Sequence, residues 1–197
     1  MKLNLILIVC GICLFFYYSS ENTAATSVRQ NLLTKERSVS KAGYSFRSIA
    51  GWTTTTLPDG TTIINQKNDK LKITPGIIIT ISNTNKIFKR SDQVKPSTSG
   101  ELFETFYREL SPTTITNQHI IKQEIRIGDK IGYSASFSLK NFRDTNTAAA
   151  GQFAATLIDN NKFLTVLGIS SPPESWHYDK EFEAVLSSIQ LFQSTNH

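Results

Sequence analysis

The stretch that decides the fold is IGYSASFSLK, Ile131 to Lys140. Ile131, Tyr133, Ala135, Phe137 and Leu139 alternate with Gly132, Ser134, Ser136, Ser138 and Lys140. A period of two places the first set on one face of a strand and the second on the other. One apolar face and one polar face mark an antiparallel sheet, because parallel sheets are covered on both sides. A one-residue slip would expose the whole apolar set, so the register is specified.

Working outward, HIIKQEIRI (119–127) puts Ile121, Ile125 and Ile127 on one face and Lys122, Glu124 and Arg126 on the other. Gly128-Asp129 turns the chain between these two strands. On the far side, NFRDTNTAAAG (141–151) reads as a loop. QFAATLIDNNKFLTVLGIS (152–170) reads as strand, Asp159-Asn160-Asn161 turn, strand. The four strands form an antiparallel run.

Earlier in the chain, GYSFRSIAGW (43–52) alternates Tyr44 and Phe46 against Ser45 and Arg47, a further strand. LPDGTTIIN (57–65) carries a Pro-Asp-Gly turn between two extended pieces. KITPGIIITIS (72–82) is a β-branched run suited to burial on both faces, begun or bulged at Pro75-Gly76. NTNKIFKRSDQVKPSTSG (83–100) is the longest irregular stretch. Thr98 and Glu101 have the spacing of a capping box. They open ELFETFYREL (101–110), whose Leu102, Phe103, Phe106 and Leu110 form one helical stripe, with Glu104 and Arg108 as an exposed i,i+4 pair. Ser111-Pro112 is expected to stop that helix. Near the end, SWHYDKEFEAVLSSIQLF (175–192) sets Phe182, Val185, Leu186 and Ile189 at i, i+3, i+4 and i+7, a second amphipathic helix. Strands, helix, four antiparallel strands, helix is the order of an α+β domain with helices covering an antiparallel sheet.

The chain has 197 residues, room for one domain and a leader. Residues 1–25 have the layout of an export signal or N-terminal membrane anchor. Lys2 is followed by an apolar run to Tyr18, a polar exit, and Thr23-Ala24-Ala25 as small residues for cleavage. Residues 26–42 read as a polar tether, and the folded domain as 43–193.

Cys10 and Cys13 spell C-x-x-C and are the only cysteines. They sit inside the apolar run, where a thiolate is disfavoured, and no further cysteine completes a zinc set. Val9 and Ile12 precede them where a lipidation signal wants a small residue. The exported portion is therefore expected to be thiol-free and to rest on its core alone.

The net charge of +5 is spread along the chain; Lys86, Lys89, Arg90 and Lys95 make the one loose cluster. Nucleic-acid binding calls for a concentrated basic face, so no nucleic-acid partner is expected. Neither a G-x-G-x-x-G nor a P-loop occurs, and no G-x-S-x-G elbow, so no cofactor and no enzyme activity is expected. His119 begins a strand and His197 ends the chain. His177 and Glu181 stand at i,i+4 with Asp179 and Glu183 nearby, which makes them the weak candidates for a divalent cation or small ligand. The catalytic alternative, an uncharacterised hydrolase, has no motif behind it.

Three features make residues 43–192 resemble the PsbP-like superfamily, which includes lumenal PsbP proteins, Ran-binding Mog-type proteins and bacterial exported proteins. They are the opening GYSFRSIAGW, the helix before a four-strand run, and the closing strand, break and helix with Phe182, Val185, Leu186, Ser188 and Ile189. The resemblance implies an α/β/α sandwich around a central antiparallel sheet. It also implies a non-catalytic binding or assembly role, here with a protein or envelope component on the extracytoplasmic side of the membrane.

Overall fold

The computed structural model describes residues 33–66, 75–88, 95–114, 122–142, 147–170 and 178–192. Residues 1–25, read from the sequence as a leader, lie outside them, as do His119, Ile121, His177 and His197. The strands are β1 (Leu33–Val39), β2 (Tyr44–Ile49), β3 (Thr53–Thr56), β4 (Thr62–Asn65), β5 (Gly76–Asn83), β6 (Gln123–Ile127), β7 (Lys130–Phe142), β8 (Thr147–Leu157), β9 (Lys162–Ser170) and β10 (Gln190–Leu191). The helices are α1 (Thr84–Ile87), α2 (Ser99–Thr114) and α3 (Asp179–Ser188).

Seven strands form one antiparallel sheet in the order β3-β4-β5-β9-β8-β7-β6; a smaller sheet runs β1-β2-β10. Alternate residues of the same strands feed two separate cores. Ile64, Ile77, Ile79, Ile127, Ala154, Leu164 and Val166 pack with Phe182, Val185, Leu186 and Ile189 and with Tyr44 and Phe46 of the small sheet. Ala135, Phe153, Ala155 and Phe163 pack instead with Leu102, Phe103 and Phe106 of α2 and with Phe88. Since neighbouring residues of a strand point to opposite faces, the two clusters lie on opposite faces of the large sheet. On the α2 face the rings interlock, with Phe103–Phe153 centroids 5.8 Å apart and Phe106–Phe163 5.3 Å.

Two tight backbone approaches depend on glycine. At Gly60, φ is +88° and a Cβ would stand 2.6 Å from Ala42 Cβ. At Gly151 in β8 a Cβ would stand 2.0 Å from the carbonyl oxygen of Gly168 in β9.

Several expectations need correction. The tether assigned to 26–42 ends before Leu33, because Leu33–Val39 pairs with β2 and Val39 is buried. Its sequence reads as tether because Lys35 to Ser38 are exposed on both faces of an edge strand. Ala148–Ala150, read as loop, belong to β8, where pairing of Ala149 and Ala150 with β7, and of Ala150 with β9 as well, overrides alanine's low strand preference. The helix begins at Ser99 and runs through Pro112 to Thr114; Pro112 stands two residues from its end, so the hydrogen bond it removes and the crowding by its ring fall on the last turn alone. The stretch 83–100 contains α1, capped by the Asn83 side chain accepting from Asn85 N at 2.8 Å.

Candidate functional site

The His177–Glu181 surface comes first, since those are the candidates from the sequence. His177 is outside the described residues. Glu181 is half-buried in the first turn of α3, beside Phe182 in the core. Asp179, in the same turn, is already used: Gln152 Nε2 donates to its Oδ1 at 2.7 Å. No group of three or more potential metal ligands occurs among the described residues. Tyr178 at the helix entry stacks edge-on against Trp52, 5.4 Å between centroids, and its hydroxyl donates to Gln66 Oε1 at 2.8 Å. These bonds tie α3 to the β4 end of the sheet, a packing role.

The α2 entry is likewise spoken for. Thr98 Oγ1 accepts from Glu101 N at 3.2 Å, as a capping box requires. The return arm differs: the Glu101 carboxylate accepts from Ser97 N at 2.7 Å and Ser97 Oγ at 2.8 Å. Those bonds hold its carboxyl below the usual carboxylate range. Glu104 pairs with Lys122 Nζ at 2.8 Å, and Lys122 lies over the ring of Tyr133 at 4.4 Å. The side chain of Arg108, the expected Glu104 partner, lies outside the described residues.

What remains open is the β6 margin. β6 ends the large sheet and pairs only with β7 among the described residues, so no described strand covers its other side. Glu124 and Arg126 are exposed and form no ion pair among the described residues. They stand opposite Tyr133 and Ile131 of β7, so all four share one face. Ile131 is 51% exposed there, the most exposed large apolar side chain among the described residues. The sequence alternation expected Ile131 inside. The face is correct, but α2 covers it only from Tyr133 onward, through Phe103. The charged alternation Lys122, Glu124, Arg126 was the legible signal of a wet margin; its being a sheet edge was not.

No family model matches the chain, and no curated protein matches it in sequence. Solved structures do match in shape. LpqN of Mycobacterium tuberculosis, described as involved in cell envelope biogenesis, superposes with a TM-score of 0.54 at 8% identity, over 76% of this chain and 83% of that one. A Mog1 variant gives 0.51 at 11% identity, over 82% and 97%. Cyanobacterial PsbP (CyanoP) of Synechocystis gives 0.49 at 13% identity, over 86% and 98%. At this identity the likeness is one of fold, and the fold is PsbP-like, as GYSFRSIAGW and the closing helix imply.

Proposed function

We propose that this PsbP-like domain is a non-catalytic exported binding or assembly-accessory module that engages a protein or envelope component through the β6 margin of its large sheet. The observation that carries the reading is the outer edge of β6, which has no partner strand among the described residues and is flanked by exposed Glu124 and Arg126 and by the exposed Ile131. An edge of this kind binds by adding a strand: backbone bonds give affinity and the flanking side chains give choice of partner. The layered α/β/α arrangement is supported by the two cores on opposite faces, one under α2 and one under α3. It leaves the sheet margins, not the faces, for partners. Export is supported by the layout of residues 1–25 and by the envelope role named for LpqN.

The test is a photo-crosslinking amino acid at position 131 of the full chain, in its native host, with fractionation. The reading expects extracytoplasmic protein and an adduct at 131 that a probe at the solvent-facing Lys180 does not give. Cytosolic protein, or equal adducts at both positions, overturns it.

A further inference from the structure

We propose that the partner at the β6 margin is a second copy of this chain, paired antiparallel through β6 about a two-fold axis at Ile125; this rests on the margin being a binding edge. A two-fold normal to the sheet makes two identical edges antiparallel and keeps each side chain on its own face. Only residues of the same parity can then oppose one another. Three centres fall in the middle of β6. Centring on Glu124 opposes Glu124 to its own copy, and centring on Arg126 opposes Arg126 to its own copy; both place like charges together. Centring on Ile125 opposes Glu124 to Arg126 twice and Ile125 to itself. The charges of β6 thus select one register and convert side chains that ordinarily guard an edge into a matched set.

The same seam places Ile131 next to each Arg126, in register on β7, where the arginine stem and the paired glutamate cover it. The opposite margin lacks this specificity. β3 is Thr53–Thr56, four identical residues whose registers are equivalent and carry no charge. Dimerisation through β6 joins two seven-stranded sheets into one continuous sheet and leaves β3 at each end.

Residue 125 on the axis gives a direct test. In the full chain with Cys10 and Cys13 replaced by serine, Ile125→Cys sets two sulfurs on directly opposed Cβ atoms about 4.5–5.5 Å apart, near enough to join. Gln123→Cys, two residues off the axis, leaves its copies about 13 Å apart along the seam. Mild oxidation in the native host is expected to give a disulfide-linked dimer for Ile125→Cys and none for Gln123→Cys. Adding Glu124→Arg to the Ile125→Cys chain is expected to cut the dimer about tenfold, and adding Arg126→Glu as well to restore it. No dimer at 125, equal dimer at 123 and 125, or indifference to the charge reversals overturns the proposal. A disulfide adduct of the Ile125→Cys chain with a different protein, without dimer, overturns self-pairing and leaves the binding edge standing; no adduct of any kind removes both.

Discussion

The hydroxyl of Tyr44 in β2 lies 2.7 Å from Thr62 Oγ1 in β4, and it joins the small sheet to the large one. The same hydroxyl stands 2.9 Å from the Gly60 carbonyl oxygen. Tyr44 is fully buried, and among the described residues these two are the partners its hydroxyl has. Tyr44→Phe keeps the ring and removes the bonds, leaving the Gly60 carbonyl and Thr62 to satisfy themselves. The expected loss is about 1–3 kcal/mol of unfolding free energy, read from the denaturant midpoint at unchanged slope. A variant as stable as the parent would mean that the bridge between sheets is the ring packing alone.

That burial also sets a pH dependence. Desolvation pushes the Tyr44 phenol from its ordinary value of 10.0 up to about 12, against a smaller lowering by the Thr62 hydroxyl. A folded-state value above the unfolded one favours the neutral phenol in the fold. The stabilisation is therefore complete below pH 10 and is lost as pH rises from 10 toward 12, by about 2–3 kcal/mol at most. Lysines and the other tyrosines titrate in the same window, so the measurement is a difference. Wild type is expected to lose more stability than Tyr44→Phe between pH 9 and pH 12. Parallel curves would place the phenol's titration at its ordinary value.

Sequence pattern carried far where side chains are buried, on one face or on both, and failed where a strand is wet on both faces. Ile77, Ile78 and Ile79 are all buried, as a β-branched run suited to burial on both faces demands. Phe182, Val185, Leu186 and Ile189 are buried at their helical spacing. The first strand was illegible because Lys35, Glu36, Arg37 and Ser38 are wet on both faces and only Val39 reports a core. Its partner contacts come from elsewhere in the chain: Ser45 Oγ donates to Glu36 Oε1 at 2.5 Å, and Arg47 Nε donates to the Thr34 carbonyl at 2.8 Å. The β6 margin was half legible. Alternating charge in β6 announced solvent, while its place at the end of the sheet depends on strand order, which no local pattern encodes.

The closeness of β8 and β9 at Gly151 makes a sharp packing prediction. A Cβ there would stand 2.0 Å from the Gly168 carbonyl oxygen, a backbone atom that cannot rotate away, and 2.9 Å from the Phe137 ring. Gly151→Ala must push β8 away from β9 or deform the ring packing beneath α2, at about 3 kcal/mol or more. Gly51→Ala is the control: its φ is +80° with nothing within 4 Å of the new Cβ, so only backbone strain of about 1–2 kcal/mol is expected. Thermal melts that rank Gly51→Ala as the worse of the two would contradict this spacing.

The last prediction concerns where the domain begins. If β1 were tether, a chain starting at Gly43 would be as stable as one starting at Leu33. The shorter chain instead loses the β1–β2 ladder, the buried Val39, the Glu36 acceptor of Ser45 and the Thr34 acceptor of Arg47. It also bares β2, whose Tyr44, Ser45, Phe46, Ser48 and Ile49 are buried in the whole molecule. Burial of one valine contributes about 1.5–3 kcal/mol and each hydrogen bond about 1 kcal/mol, so the sum is several kcal/mol in a domain whose total margin is about 5–15. The chain starting at 43 is expected to unfold at distinctly lower urea or to accumulate insoluble, because β2 then becomes an uncovered edge with apolar side chains. Equal urea midpoints for the two chains would return residues 33–42 to the tether.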